Sequence, residues 1–434
     1  MNEQAVRDRI DNRGWGPFFR KLWIASGLGW MADSMNVAAL GLVLPLILVD
    51  LGISRAEGGF IVSATFVGFM LGGILTGRLA DILGRRTLLT GNIVLFSLAA
   101  VMAGLSQDFW WLLIFRFIQG IGMGGEFPII GTYLNEMSPT RYRARIVGLT
   151  SAFYAYGFAL IPLIGMFVVP VVGWRGLFLA LVIPVVVALW ARRALPESPV
   201  FLARKGRTAD AEAALQLIES GSTEKPAEKG TQEMETGGKI LSVRTGILVI
   251  TWILIFYAQY GFGSWLPSAI NEAVGNAGSS YLLTSLLFSG MVAGYLLGAF
   301  WGGRFAPLRF LTFAFIEFGI ALILFGLSSG IVFMMVFGWL AAAGYGFTTV
   351  SAYLYTPRLF DTSVRGTGMG LVTGLGRIGA VVGPFVVAVL NPEGSLGASF
   401  VSFGLASLAI VALFLLIDSR RVPAVRTQHQ AVTA

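Results

Sequence analysis

Two long apolar runs are separated by a short charged stretch, residues 77–86, which reads Gly-Arg-Leu-Ala-Asp-Ile-Leu-Gly-Arg-Arg. Gly77 and Gly84 permit a tight turn and close helix approach, because glycine adopts backbone conformations that other residues avoid. Asp81 can face a helix N-terminus or a cation, and the arginines favour water at the edge of an apolar layer. The stretch therefore predicts a charged connection between two apolar helices.

Apolar runs of similar length recur along the whole chain. About twenty apolar residues in a helix cross the hydrocarbon layer of a membrane. The runs lie near 22–48, 58–79, 87–105, 109–135, 144–171, 174–192, 245–270, 281–303, 308–328, 331–357, 364–390 and 397–418. The sequence thus predicts an all-α integral membrane protein with twelve transmembrane helices.

The composition excludes an ordinary soluble fold. Of 434 residues, 56% are hydrophobic and 12% are charged, and the mean hydropathy is +0.76. In soluble domains about a quarter of the residues are charged. The chain has no cysteine, and its one histidine, His429, lies in a polar tail. We therefore expect no disulfide, no metal site and no cofactor.

The positive charges predict an orientation. With both termini in the cytosol, 27 of the 31 lysines and arginines fall in cytosolic segments, Arg192 among them. The positive-inside rule favours that topology. The net charge of +8 then reflects topology, and we expect no nucleic-acid partner because the cations are dispersed over several loops. The polar first twenty residues lack the pattern of a cleaved signal peptide, so we expect none. We also expect the protein to lie in the cell membrane.

Identities at an offset of 220 residues indicate two related halves. They pair Gly124 with Gly344, Phe127 with Phe347, Tyr133-Leu134 with Tyr353-Leu354, Arg145 with Arg365, and Gly148 with Gly368. We therefore expect two pseudo-symmetric six-helix bundles. The predicted segments are a cytosolic N-terminal segment 1–21, a first bundle 22–193, a cytosolic central loop 194–244, a second bundle 245–418 and a cytosolic tail 419–434.

The motifs resemble those of the major facilitator superfamily. Residues 77–86 resemble its G-x-L-a-D-x-x-G-R-R/K signature, and residues 133–145 resemble its E-x-x-P-x-x-x-R link. The resemblance implies the major facilitator fold and a gate on the cytosolic side. The expected gate residues are Gly77, Asp81, Gly84, Arg85, Arg86, Glu136, Arg145 and Arg365. The second half lacks the acid of the first motif, so we expect an asymmetric gate.

Charged residues inside the apolar runs resemble those of one branch of this superfamily. Residues 116–126 resemble the R-x-x-x-G-x-G-x-G-G-E pattern of organic-acid and nicotinate-type symporters, and residues 376–379 resemble their G-R-I-G segment. A charge in the bilayer costs several kcal/mol, so Arg116 and Glu126 should face a cavity or each other. Arg377 can bind a carboxylate substrate in the cavity or pair internally with Glu317. Both possibilities stay open at the level of the sequence.

One carboxylate of the first run is placed to carry a proton. At about 1.5 Å per residue, Asp33 lies about 16 Å from the inner end of its helix. The resembling symporters have D-x-x-D here, whereas this chain has Asn36 in the second place. Desolvation favours the neutral form of a carboxyl group, which suits reversible proton binding. We expect Asp33 and Glu126 to couple protons, and the alternative for Asp33 is a hydrogen-bonded role in packing.

Polar and aromatic side chains on the central helices predict a substrate site. Aromatic residues at helical spacing also occur in packing and in interface belts. The expected substrate-binding residues are Asn36, Arg116, Gln259, Tyr260, Tyr353 and Arg377.

These features predict a monomeric secondary transporter that couples a small organic carboxylate, aromatic acids included, to protons. The Pro196–Pro199 stretch also occurs in sugar porters and organic-ion transporters. A sugar or organic-cation facilitator is therefore one alternative. A non-transporting receptor is another, since the chain also resembles synaptic vesicle glycoproteins. No nucleotide loop, nucleophile elbow or metal cluster indicates an enzyme.

Overall fold

The computed structural model describes residues 2–193, 195–223, 242–302, 304–360, 364–390 and 396–419. Helices make up nearly all of this part of the chain, and no strand occurs within it. Most of the central loop after residue 223 and nearly all of the predicted tail 419–434 lie outside the described residues.

The helices follow one another with short connections. In chain order they are α1 Glu3–Asp11, α2 Pro17–Asp50, α3 Arg55–Leu83, α4 Arg85–Gly104, α5 Phe109–Met137, α6 Thr140–Ala180, α7 Val182–Arg192, α8 Pro199–Arg204, α9 Thr208–Ser220, α10 Val243–Val274, α11 Ala277–Trp301, α12 Pro307–Leu327, α13 Ile331–Tyr355, α14 Arg365–Leu390 and α15 Gly397–Ser419. A 3-10 turn, Thr356–Leu359, follows α13.

Eleven helical stretches of the described chain are long and apolar enough to cross a membrane. One of them, Thr140–Arg192, has 53 residues, which would extend about 80 Å as a straight helix. That is far more than the roughly 30 Å of a hydrocarbon layer. Gly173 has φ 69° and ψ −175°, which breaks the helix inside α6. The stretch therefore supplies two crossings, and the predicted twelve-helix membrane fold is confirmed.

The long helices form two bundles with matching contacts. In the first bundle α3 packs against α5 and α2 against α6, and in the second α11 packs against α13 and α10 against α14. Between the bundles, α3 contacts α14 and α6 contacts α11.

The helix contacts correct the offset between the halves. A Cβ atom at Gly68 would overlap the carbonyl of Phe117. In the second half, a Cβ atom at Gly290 would approach the carbonyl of Trp339 in the same way. Gly290 and Trp339 each lie 222 positions after their counterparts Gly68 and Phe117. Contacts of α2 with α6 and of α10 with α14 repeat this offset. The predicted offset of 220 is therefore wrong by two residues in these helices. Glycine-rich helices give chance identities at neighbouring offsets, whereas close backbone approach tolerates one register only.

The two ends of the molecule differ. We call the end that carries the Gly84 turn and residues 195–223 the loop face, and the opposite end the far face. Toward the far face, the hydroxyl of Ser63 donates to the carbonyl of Val381 at 3.0 Å. At the far face itself, Arg55 pairs with Glu272 at 2.7 Å. The bundles are thus joined on the far side of their midplane.

The short helices α1, α8 and α9 form a layer at the loop face. Arg9 pairs with Glu212 at 2.6 Å and with Glu219 at 3.0 Å, which joins α1 to α9. Asp11 accepts a hydrogen bond from the backbone N–H of Thr140 at 2.7 Å, at the first residue of α6. The described part of the N-terminal segment is therefore docked onto the first bundle.

Candidate functional site

The charged stretch of residues 77–86 builds a tight helical corner. Gly84 adopts φ 96° between α3 and α4, a conformation that favours glycine. The buried Arg85 guanidinium donates to Asp81 at 3.0 Å and to Glu136 at 3.1 Å. It also donates to the backbone carbonyl of Ala80 at 2.8 Å. The motif thus brings an acid of α3 and an acid of α5 to one cation.

Glu197 completes this corner, and the sequence analysis assigned it no role. Its carboxylate accepts hydrogen bonds from the backbone N–H groups of Arg85 at 3.0 Å and Arg86 at 3.1 Å. These are the first residues of α4, where free N–H groups and the helix dipole favour an anion. The sequence shows an acid in the Pro-Glu-Ser-Pro stretch. That acid lies far from the corner along the chain, so its contact with the corner could not be predicted.

For three expected gate residues the structure describes no contact with the rest of the set. Gly77 has open space beside it in the described structure, so the close helix approach expected there is not made in this conformation. The side chains of Arg145 and Arg365 lie outside what the structure describes. The gating role of the whole set stays a prediction.

Asp33 lies in the middle of α2 and is 1% exposed. Neither of its carboxylate oxygens has a hydrogen-bond partner among the described residues. The charges of Glu126 and Arg377 act on it through space. A buried carboxyl group without a hydrogen bond is unfavourable as an anion, so the position suits a group that binds and releases a proton.

Glu126 is paired in a way that the sequence analysis missed. It binds Arg192, which is buried at the end of α7, whereas the sequence analysis counted this arginine among the cations of the cytosolic segments. Arg192 also donates to the carbonyl of Leu89 at 3.0 Å. Gly29 of α2 leaves room for this pair, since a Cβ there would overlap the guanidinium. A cation at a helix end has a side chain long enough to reach back into the bundle.

Arg116 belongs to a separate network of neutral groups, and it does not pair with Glu126. Its guanidinium donates to the amide oxygen of Gln119 at 2.6 Å, and Gln119 donates to Asn36 at 2.6 Å. A weaker hydrogen bond reaches the hydroxyl of Thr65 at 3.3 Å. Gln119 was not predicted, although its spacing of three residues from Arg116 places both on one helix face.

Arg377 lies in an aromatic cage formed by both halves. Its guanidinium donates to the hydroxyl of Tyr260 at 2.6 Å. The carbon of the guanidinium lies 4.3 Å from the ring centre of Phe69 and 4.6 Å from that of Phe256. Phe69 belongs to α3 of the first bundle, whereas the other rings belong to α10. Of the two possibilities left open, the structure favours the central position over a pair with Glu317.

Two further predicted substrate residues lie beside this cage. The amide of Gln259 donates to the hydroxyls of Thr348 and Thr349, each at 3.0 Å. The ring of Tyr353 packs on Trp252 with 5.0 Å between ring centres. Their contacts with a substrate stay a prediction.

The centre of the molecule thus combines a carboxyl group, a caged guanidinium and several aromatic rings at the contact between bundles. Such a set can bind an anion and a proton at neighbouring positions. Within the described ranges, no group of three or more His, Asp or Glu side chains could hold a metal ion.

Comparisons with known proteins agree with this architecture. The family model described as Major Facilitator Superfamily matches residues 22–275 and 248–433. The niacin transporter NiaP of Acinetobacter baylyi is 28% identical over 427 residues, which cover 94% of this chain and 96% of that protein. The benzoate transport protein of the same organism is 28% identical over 439 residues, which cover 96% of this chain and 94% of that protein.

A solved structure shows the same fold. The partially occluded inward-open form of the xylose transporter XylE from E. coli matches with a TM-score of 0.78 and 16% sequence identity. The match covers 92% of this chain and 97% of that chain. Similarity at this level of identity concerns the arrangement of helices and carries no information on the substrate.

Proposed function

The chain belongs to the Major Facilitator Superfamily, and on this premise we propose that it carries a small organic carboxylate across the membrane together with a proton. Aromatic acids are the favoured substrates. Relatives named as niacin and benzoate transporters support this class. The protein is not an enzyme, and its cargo crosses the membrane unchanged.

The aromatic cage of Arg377 is the observation that carries the proposal. A guanidinium binds a carboxylate through two parallel charge-assisted hydrogen bonds. The rings of Phe69, Phe256 and Tyr260 surround that cation, and an aromatic acid can stack on such rings while its carboxylate meets the charge. A sugar has no charge for Arg377 to bind, and an organic cation would be repelled.

Asp33 supplies the coupling in this proposal. While Asp33 is ionised, its charge acts on Arg377 and competes with a substrate anion for the guanidinium. Protonation of Asp33 removes that competitor, so the proton and the substrate anion favour each other's binding. Glu126 is held by Arg192, and we assign it a secondary role in proton transfer.

Transport would follow from alternating access of the site to the two membrane faces. Two polar contacts between the bundles, Ser63 with Val381 and Arg55 with Glu272, lie toward the far face. We infer that the loop face is cytosolic, in the cell membrane, and that the protein works as a monomer open to the cytosol in this conformation. The Arg85 corner at the loop face then belongs to the cytosolic gate that closes when the far face opens.

Ligand-dependent thermal unfolding of the purified protein tests the substrate class, because a ligand that binds the folded state raises the unfolding temperature. We expect benzoate and nicotinate to raise that temperature, and xylose and choline to leave it unchanged. Arg377→Gln should lose the response to the acids, whereas Arg175→Gln, a change at the half-buried far-face arginine, should keep it. A response to xylose or choline alone would support a sugar or cation facilitator. No response to any of the four, combined with no uptake into proteoliposomes, would support a receptor.

A further inference from the structure

Arg116 is a buried cation whose charge is not balanced by a described neighbour. Its side chain is 1% exposed. The hydrogen bonds shown for it reach the amide of Gln119, the hydroxyl of Thr65 and the carbonyl of Asn36, all of which are neutral. Buried charges in proteins are normally paired, because desolvation without a counter-charge is costly.

The aromatic neighbour of Arg116 offers limited compensation. The ring centre of Phe178 lies 5.5 Å from the guanidinium carbon, which is near the outer limit for a cation–π contact. An anion close to Arg116 would balance the charge far better.

A small cavity adjoins the guanidinium on the side of the second bundle. It has a volume of about 10 Å³ and is lined by Arg116, by Gly41, Thr65 and Phe66 of the first bundle, and by Ser264 of α10. That volume is close to what one water molecule needs. The hydroxyls of Thr65 and Ser264 can donate hydrogen bonds to a guest beside the cation.

The cavity is closed by the contact between bundles. Gly41 of α2 lies so close to the backbone carbonyl of Ser264 that a Cβ there would overlap it. The hydroxyl of Ser268 donates to the carbonyl of Gly41 at 3.5 Å. Separation of the bundles at the far face would withdraw Ser264, enlarge the cavity and open it to that side.

A pair of rings separates this cavity from the site around Arg377. Phe66, which lines the cavity, packs on Tyr260 with 4.8 Å between ring centres, and Tyr260 holds Arg377. The two guanidinium groups therefore lie on opposite sides of one aromatic contact between the bundles.

We propose that Arg116 forms a second anion site, which takes a monovalent anionic group from the far face when the bundles separate there. The group is either a free inorganic anion or the carboxylate of the substrate on its way to Arg377. The inference rests on the proposed function for its place in the transport path, whereas anion binding itself can be measured without transport.

Thermal unfolding of the full-length protein in sodium chloride and in the sodium salt of MES, a bulky sulfonate without a carboxylate, tests the site at equal ionic strength. Chloride should raise the unfolding temperature of the wild type relative to MES, since it binds the folded state. Arg116→Gln should abolish this difference, and in MES it should unfold at or above the temperature of the wild type because it removes an unbalanced buried charge. Arg175→Gln changes a half-buried arginine at the far face and should keep the full chloride response.

Titration with sodium benzoate in the sodium salt of MES distinguishes the two sources. If Arg116→Gln loses the chloride response and keeps the benzoate affinity of the wild type, the site takes a free anion. If Arg116→Gln weakens the apparent benzoate affinity at least tenfold, the site also receives the carboxylate. Arg377→Gln should keep the chloride response in either case.

Chloride and benzoate responses of Arg116→Gln equal to those of the wild type would overturn the inference. If that variant does not fold, Thr65→Val replaces it, since the change removes one hydroxyl from the cavity and keeps the charge. It should weaken the chloride response, and an unchanged response would again overturn the inference. A protein that shows the chloride response without transporting any acid would contradict the proposed function and leave the anion site intact.

Discussion

Arg377 is held by a phenol hydroxyl and by aromatic rings, so the geometry of its planar guanidinium matters as much as its charge. Lysine would keep the charge but lose the stacking on Phe69 and Phe256 and the paired hydrogen bonds to a carboxylate. We expect Arg377→Lys to weaken the apparent affinity for benzoate at least tenfold and Arg377→Gln to weaken it further. Titrations followed by thermal unfolding measure both.

The half-buried Arg175 offers a control arginine away from this site. It lies at the far face in an ion pair with Asp50, and Arg175→Lys should leave the benzoate affinity unchanged. Wild-type affinity in Arg377→Lys would show that a point charge suffices, and the carboxylate geometry of the proposal would then be wrong.

At the scale of helices, the pair of Glu126 and Arg192 joins α5 to α7 inside the first bundle. Arg192→Ala leaves a fully buried carboxylate without its partner, and breaking such a pair costs about 3–5 kcal/mol. We therefore expect a large loss of stability in Arg192→Ala, measured as thermal unfolding in detergent. The double change Glu126→Gln with Arg192→Met should recover most of it, because no buried charge remains. If Arg192→Ala is as stable as the wild type, the role of this pair in stability is wrong.

The two acids that bind Arg85 at the corner between α3 and α4 should contribute unequally to stability. Glu136 is 7% exposed and Asp81 is 72% exposed, although both accept from Arg85. A hydrogen bond to a charged group in a buried place contributes about 1.5–3 kcal/mol, and an exposed ion pair less than about 1 kcal/mol. Glu136→Gln should therefore lower the unfolding temperature clearly, and Asp81→Asn should lower it little. Equal losses in the two variants would contradict this order.

Much of the fold followed from the sequence because hydropathy and charge act over whole helices. The crossings, the Gly84 turn and a central Asp33 were all predictable from local pattern. Arg192 was counted among the cytosolic cations because a cation at the end of an apolar run favours water, and the sequence does not show that Glu126 binds it inside the bundle. The pairing of Arg377 with Tyr260 was equally hidden, since it depends on how two helices are rotated against each other.

At the scale of the whole molecule, the layer at the loop face fixes the N-terminus to the first bundle. Hydrogen bonding to Arg204 lowers the pKa of Glu3 to about 2. The pKa values of Glu212 and Glu219 are lowered by their hydrogen bonds to Arg9. A carboxylate with a lowered folded pKa contributes stability above its unfolded pKa and loses it as the pH falls toward the folded one.

We therefore expect α1 to stay docked from neutral pH to about pH 5 and to loosen as the pH falls from there toward 2. The chain has no cysteine, so a spin label on Ala5→Cys reports the mobility of α1 without background. High salt should loosen α1 as well, because partly exposed pairs are screened. Arg9→Gln should raise the mobility already at neutral pH. Constant mobility between pH 7 and pH 3 would contradict the role of these pairs.

Proton coupling is the central claim, and it concerns both bundles at once, because Asp33 lies on the first and Arg377 on the second. Asp50 lies on the same helix as Asp33 and is partly exposed at the far face, so Asp50→Asn is the matched control for Asp33→Asn.

Accumulation of radiolabelled nicotinate in proteoliposomes with an alkaline interior, corrected for the passive entry measured in protein-free liposomes, measures this coupling directly. The account predicts that the wild type and Asp50→Asn accumulate nicotinate against its gradient, that a protonophore abolishes the accumulation, and that Asp33→Asn only equilibrates the substrate. Accumulation by Asp33→Asn at the level of the wild type would contradict the account.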